Sequence, residues 1–425
     1  MRISLSSIGC RLNTGEIDAL SRRFSNLGHL IVSANEDPDI IIFNSCAVTV
    51  AAGSESRKII RGLRKRHPYA TLVVTGCYAS IDIEKARVLG ADLIIGNQYK
   101  DDIPNILVET GILHNSNAVE PFTAINSSSS RRTRAFLKVQ DGCNNKCTFC
   151  VVTIARGKGI SKPIDQIVDD INQLISLGFV EIVICGVHLG AYGHDFESRL
   201  SLYDMVSMVL NETDIKRLRL SSLEPWDLDP QFFDLWEDDR LLPHLHLPLQ
   251  SGSDRTLRRM GRRNTANDFR DLVLAARNCI ADLAVTTDVI VGFPGETEDD
   301  FIDSITFIDQ MNFADLHIFS YSGRPGTVAS EMPDQIPGNI IKNRMRLMQN
   351  VGKRSQDKFV KSFIGRKLDV LWESSSKHDD SLIWSGLTTN YMRAYMHTDF
   401  KQNLRNRITT IRMTESYGKG LLGMI

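Results

Sequence analysis

Cys143-Asn144-Asn145-Lys146-Cys147-Thr148-Phe149-Cys150 places three thiols within eight residues, in a C-x3-C-x2-C run. It directly follows an apolar segment, 135–140, that reads as a strand. Thiolates are the ligands by which proteins hold iron–sulfur clusters. Three closely spaced cysteines can take three irons of a cubane and leave the fourth open. A structural zinc ion would call for a fourth protein ligand close by, and the run supplies none.

Downstream of this run, apolar segments at 135–140, 181–186, 217–222, 244–250, 285–291 and 315–321 alternate with helical patterns such as 163–177 and Glu298–Met311. Six strand–helix units in series fit a parallel barrel or partial barrel better than a doubly wound sheet. Upstream, 3–8, 39–44 and 71–75 read as strands, with helical spacing at 14–27 and 51–66. Near-continuous apolar strands separated by helices imply a small parallel α/β domain. Each of these three strands runs into a cysteine: Cys10, Cys46 and Cys77. Ligands of open α/β sheets gather at the carboxyl ends of strands, so one edge could bring the three thiols together. The plainer reading is three buried cysteines. Cys185 and Cys279 have no such setting and read as core residues.

The stretch 115–133, with Ser127-Ser128-Ser129-Ser130, is polar and aperiodic and reads as a linker. A helix at 339–360 is followed by short alternating segments at 367–372, 382–387, 392–396 and 407–413, which suggest a small all-β module. The expected domains are therefore 1–114, 134–362 and 363–425.

With 42% hydrophobic and 24% charged residues and a net charge of −1, the chain is not a uniformly basic nucleic-acid binder. Its positive charge is local: Arg57, Lys58, Arg61, Arg64, Lys65 and Arg66; Arg131, Arg132 and Arg134; Arg258, Arg259, Arg262 and Arg263. Such clusters suit a stripe that contacts phosphates. No apolar run approaches the roughly 20 residues of a membrane span, so no membrane partner is expected. The first residues lack a signal-peptide core, and eight cysteines in 425 residues are too few for a disulfide scaffold. A cytoplasmic location is expected.

The run from Cys143 to Cys150, with Phe149 before its last cysteine, resembles the signature of the radical S-adenosylmethionine (SAM) superfamily. That resemblance implies a partial (β/α)6 barrel with a 4Fe-4S cluster at its mouth. SAM would chelate the open iron, and reduction would cleave it to a 5′-deoxyadenosyl radical. Gly9-Cys10-Arg11-Leu12-Asn13, Asn44-Ser45-Cys46-Ala47-Val48-Thr49 and Thr75-Gly76-Cys77-Tyr78-Ala79 are similar to three motifs of the methylthiotransferase family. In that family the three cysteines hold a second 4Fe-4S cluster, whose open iron carries sulfur for transfer. All six cysteines are thus implied as metal ligands with a direct part in catalysis.

The resemblance also implies SAM-binding roles for Phe149, Gly186, Glu224, Gln250, Gly292 and Gly295, with His188 and His246 in the same pocket. The β module resembles the TRAM domain, an RNA-binding barrel, although it reads as irregular between Ser374 and Ser381 and again after Tyr395. The implied partners are tRNA, SAM and a flavodoxin- or ferredoxin-like electron donor. The 139–150 segment, the 186–193 loop and the 245–253 segment look most like the bacterial MtaB type, which places a methylthio group on C2 of N6-threonylcarbamoyladenosine beside the anticodon. The alternatives are a methylthiotransferase for N6-isopentenyladenosine in tRNA, one for an aspartate of a small-subunit ribosomal protein, and a non-catalytic iron–sulfur RNA-binding protein.

Overall fold

Short strands early in the chain pair into one parallel sheet in the order β2-β1-β3-β4-β5: β1 (Arg2–Ser7), β2 (Leu30–Ile31), β3 (Ile40–Ser45), β4 (Thr71–Gly76) and β5 (Leu93–Ile95). The computed structural model describes residues 1–113, 132–198, 200–378, 381–400 and 402–425. Every residue of β3 is buried, as a parallel strand covered on both faces requires. The helices α1 (Arg11–Asn26) and α2 (Val50–Arg66) supply that cover. The two edge strands β2 and β5 are too short for their pattern to stand out in the sequence. Except for Arg132 and Thr133, the linker 115–133 lies outside the described residues.

The second unit is a half-barrel. Strands β6 (Arg134–Lys138), β9 (Glu181–Cys185) and β10 (Arg217–Leu220) form one three-stranded parallel sheet, and β11 (His244–His246), β12 (Ala284–Val291) and β13 (Asp315–Ser320) form another. Parallel bridges from Leu218 to Leu241 and from Ser222 to His246 join them. A small antiparallel ladder of β7 (Gln140–Asp141) and β8 (Ile160–Ser161) flanks the cysteine run. The fourth barrel strand is shorter than the expected 244–250. Pro248 has no N–H to donate, and Gln250 turns the chain with φ of 76°.

The half-barrel is open between its edge strands β6 and β13, and the N-terminal unit spans that seam. Helix α1 lies on β6 so closely that a Cβ on Gly15 would stand 2.6 Å from the carbonyl oxygen of Phe136. On the other side the Val50 N–H donates to Ser322 Oγ, just past β13, at 3.3 Å. The sheet ends that bear Cys10, Cys46 and Cys77 therefore face the barrel lumen.

After the helix Gly338–Lys361, strands β14 (Lys367–His378), β15 (Ser381–Thr388), β16 (Arg393–Thr398), β17 (Ile408–Tyr417) and β18 (Gly420–Met424) close a barrel in the order β14-β15-β16-β18-β17. This corrects the expected irregularity. Strand β14 continues through Ser374 after a bulge next to Trp372, and the fifth strand, β18, is one that the alternation did not reveal. This barrel docks on the base of the half-barrel, where Arg217 donates to the carbonyls of Leu387 and Thr388, and Arg219 to that of Thr389.

Candidate functional site: two cysteine trios and a cavity

Cys10 is the residue before α1, Cys46 follows β3, and Cys77 opens the helix Cys77–Ile81 after β4. Two glycines make their convergence possible. Gly9 has φ of 97°, and a Cβ there would come within 2.6 Å of Cys46 Sγ. Gly76 has φ of 96°, and its Cβ would stand 2.2 Å from the Ser45 carbonyl oxygen. Only glycine tolerates both conditions. Ser56 Oγ accepts from the Cys46 N–H at 3.1 Å and donates to the Cys46 carbonyl at 2.8 Å. Burial pushes the Cys46 thiol up to about 11, and neighbouring Cys10 and Cys77 add to the rise.

The second trio sits in the loop between β7 and the helix Val152–Arg156. Backbone N–H groups of Asn145 and Val152 point at Cys143 Sγ and Cys150 Sγ, each at 3.4 Å. The Arg262 guanidinium lies 4.0 Å from Cys147 Sγ and pairs with Glu224 at 2.6 Å. Burial pushes the Cys150 thiol up to about 12. His188 touches the same trio. Burial disfavours its charge, but hydrogen bonds to Asp227 (2.5 Å) and Cys143 outweigh it and raise the imidazole to about 9.

The spacing of the sulfurs distinguishes between metals. One zinc ion with Zn–S bonds of roughly 2.3 Å would draw its ligands to about 3.8 Å from one another. Neither cysteine trio has its three sulfurs within even 4.8 Å of one another; among the described residues only His246, Asp288 and His317 meet that spacing. Three thiols at each site suit a cubane cluster with one iron left open.

A cavity of about 850 Å³ opens beside the first trio. Cys10, Cys46 and Cys77 line one side, Gly186, Ser221 and Ser222 the strand ends, and Tyr391 of the C-terminal barrel its floor. His246, Asp288 and His317 project into it from β11, β12 and β13, with Asp288 Oδ1 at 3.3 Å from His246 and 3.1 Å from His317. Burial opposes ionisation of Asp288, but the two histidines outweigh it and hold the carboxyl below its usual range.

Residues 137–308 match the radical SAM superfamily, and residues 2–96 match an uncharacterized protein family, UPF0004. Over 426 residues, covering 99% of this chain and 96% of the relative, the chain is 31% identical to the threonylcarbamoyladenosine tRNA methylthiotransferase MtaB of Thermotoga maritima. The chain belongs to the radical SAM methylthiotransferase family. A second relative in that family, the tRNA-2-methylthio-N6-dimethylallyladenosine synthase of Ehrlichia canis, is 30% identical over 99% of both chains. Among solved structures, the radical SAM methyltransferase TsrM of Kitasatospora setae is similar in fold, with a TM-score of 0.58 and 13% identity over 77% of this chain and 74% of that one. A radical SAM methylthiotransferase uses SAM and two 4Fe-4S clusters, and the two cysteine trios fit the cluster-holding role.

Phe149, Gly292 and Gly295 lie near the second trio. Phe149 packs edge-on against Phe293 at 6.4 Å, which brings the cysteine run against the turn from Gly292 to Gly295. Both glycines have positive φ, and protein groups crowd them: Ile341 lies 2.5 Å from a Cβ on Gly292, and Arg259 lies 2.4 Å from one on Gly295. Gln250 holds φ of 76° while buried, a strained conformation of the kind found at functional sites.

Two expectations are corrected. Cys279 is exposed, at the end of the helix Ala266–Cys279, whereas Cys185 is buried as expected. Of the basic clusters, Arg134 pairs with Glu373, Arg132 with Asp18, and buried Arg262 with Glu224. Arg131 lies outside the described residues. The α2 cluster does present Lys58, Arg61, Lys65 and Arg66 to solvent, while Arg64 is tied to Asp92.

Sequence reasoning missed Glu16, Lys100 and Arg156. Arg156, from the helix just after Cys150, reaches into the N-terminal unit to pair with Glu16 at 2.9 Å, to donate to Asn13 at 2.9 Å, and to pair with Asp141 at 2.7 Å. Lys100 completes the group at 2.6 Å from Glu16. Burial disfavours the Glu16 charge, but Lys100, Arg156 and Lys138 outweigh it and keep the carboxyl well below its usual range. The partners lie up to 143 positions apart, so no local pattern marks them.

Proposed function

We propose that the chain places a methylthio group on C2 of N6-threonylcarbamoyladenosine beside the anticodon of tRNA. The observation that carries this reading is the cavity at the first trio: Cys10, Cys46 and Cys77 open into the lumen of the half-barrel beside Gly186, Ser221 and Ser222, in a space large enough for a modified nucleoside. Identity alone does not choose the nucleoside, since relatives named for threonylcarbamoyl and dimethylallyl adenosines stand at 31% and 30%. Among the mostly apolar lining of the cavity, the guanidinium of Arg11 favours the substituent that carries a carboxylate.

In this reading Cys143, Cys147 and Cys150 hold the SAM-binding cluster, and Cys10, Cys46 and Cys77 hold the second. Together with SAM these clusters supply the radical chemistry needed at an adenine C–H bond that no side-chain base could activate. Phe149, Gly186, Glu224, Gln250, Gly292 and Gly295 shape the SAM site. Glu224 acts through Arg262, which it holds beside Cys147. The His246–Asp288–His317 wall presents donors to the base. The closed C-terminal barrel is a TRAM-like RNA-binding unit, and the exposed cations of α2 add phosphate contacts. The reductant is a flavodoxin- or ferredoxin-like protein, and the reaction takes place in the cytoplasm. Among the described residues no helix is long and apolar enough to cross a membrane.

Mass spectrometry of tRNA nucleosides tests this, in a host lacking its own methylthiotransferases and expressing this chain. The methylthio form of threonylcarbamoyladenosine is expected. A methylthio form of isopentenyladenosine in its place would overturn the substrate, and neither product with both clusters intact would overturn the tRNA reading.

A further inference from the structure

The ion pairs of the cavity floor leave one guanidinium over. Arg134 and Arg393 share Glu373, Arg217 and Arg219 share Glu181, and Arg156 has Glu16 and Asp141. Arg11, next to Cys10 and lining the cavity, has no carboxylate partner among the described residues. It donates to the hydroxyl of Tyr391 and lies 5.0 Å from the centre of that ring. The other cation on the lining without an ion pair, Lys419, is exposed at the rim.

Tyr391 is held in place for a purpose that packing alone does not require. It is a non-glycine residue at φ of 68°, a strained left-handed conformation. Its N–H donates to the Thr388 carbonyl at 3.1 Å, and its ring stacks on His244 at 4.6 Å. The hydroxyl accepts from both Arg11 and Arg134. A phenol oxygen has two lone pairs and one proton, so the proton is left to donate to something in the cavity.

We propose that Arg11 and the Tyr391 hydroxyl bind the carboxylate of the N6 substituent and so set the choice of nucleoside. The inference rests on the substrate reading above. In adenine, C2 and C6 flank the same ring nitrogen, so an acidic group on the N6 substituent falls on the side of the ring where C2 must meet the sulfur. Arg11 adjoins a ligand of the sulfur-carrying trio and stands on that side. An uncharged isopentenyl group would leave the guanidinium without its counter-charge, and sites built for a hydrogen-bonding group reject analogues that lack it.

The test uses the holoenzyme with synthetic anticodon stem-loop RNAs whose adenosine carries threonylcarbamoyl as the free acid, its methyl ester, or isopentenyl. Equilibrium binding by fluorescence anisotropy and kcat/KM for methylthiolation are both read. Wild-type protein should prefer acid over ester roughly 10- to 100-fold, the range for losing a hydrogen bond to a charged group, mainly through binding and KM. Arg11→Gln should flatten that preference, and Arg11→Lys should restore part of it. Iron content confirms that the variants keep their clusters. Equal use of acid and ester by the wild type, or a full preference retained by Arg11→Gln, overturns the Arg11 assignment alone. A wild type that modifies the isopentenyl RNA and not the acid overturns the substrate reading with it.

Discussion

The two cysteine trios, proposed above to hold the same kind of cluster, are assembled by opposite means. Cys143, Cys147 and Cys150 lie within eight residues, and a single loop with inward-pointing N–H groups sets their geometry. Cys10, Cys46 and Cys77 come from three separate strand ends, and the parallel sheet sets theirs. A loop-held site depends on local backbone, and a sheet-held site depends on the register of β1, β3 and β4 and on glycines that let neighbouring turns touch. The sheet-held trio should therefore be the more sensitive to changes outside its ligands.

The largest effect tests the separation of roles. Cys147→Ala should abolish both reductive SAM cleavage and methylthio transfer, measured as 5′-deoxyadenosine and modified nucleoside; transfer that survives would end the assignment of that trio. Cys46→Ala should remove transfer while 5′-deoxyadenosine still forms, with iron content falling by about half. If SAM cleavage vanished too, the two sites could not be treated as distinct.

Gly9→Ala sharpens the comparison without replacing a ligand. The new methyl would meet Cys46 Sγ at 2.6 Å in a left-handed backbone, so the sheet-held site should lose most of its iron while the loop-held site keeps its own. Mössbauer or EPR signals of the two clusters would separate the outcomes. Arg156→Gln asks whether the trios are mechanically coupled. Glu16 and Arg156 are both almost wholly buried, and leaving a buried charge unpaired costs about 3 kcal/mol or more. Lys100 remains on Glu16, which places the effect at the low end, seen as a drop of several degrees in Tm. Smallest is the joint change of Lys58, Arg61, Lys65 and Arg66 to Gln. It should leave Tm within about a degree and make the salt dependence of tRNA binding shallower, by about 0.7–0.9 in slope per lost phosphate contact.

The contrast between the trios also explains what could be read in advance. The loop-held trio is contiguous, so its spacing announced it. The sheet-held trio was legible because each cysteine ends an apolar strand, a regularity that survives without knowing the fold. Six barrel strands were legible for the same reason, apart from the early end of β11 at Pro248 and Gln250. By contrast, β18 is short and rich in glycine and leucine, and its pairing with β16 and β17 depends on barrel closure. The partners of Arg134 and Arg262 were hidden as well. An arginine run looks the same in sequence whether it faces solvent or a distant carboxylate, and these two arginines meet Glu373 and Glu224 only after folding.

Tyr391 is contributed by the C-terminal barrel, yet it forms the floor of the chamber in the half-barrel and is clasped by arginines from both other units. Modular exchange is therefore not neutral for this architecture. A chimaera that imports a relative's terminal barrel imports the bottom of the reaction chamber with it. A truncation before Lys367 would uncap Arg217 and Arg219 and open the lumen from below. Grafting this segment should consequently move nucleoside preference along with RNA affinity, and the two properties should be inherited as one.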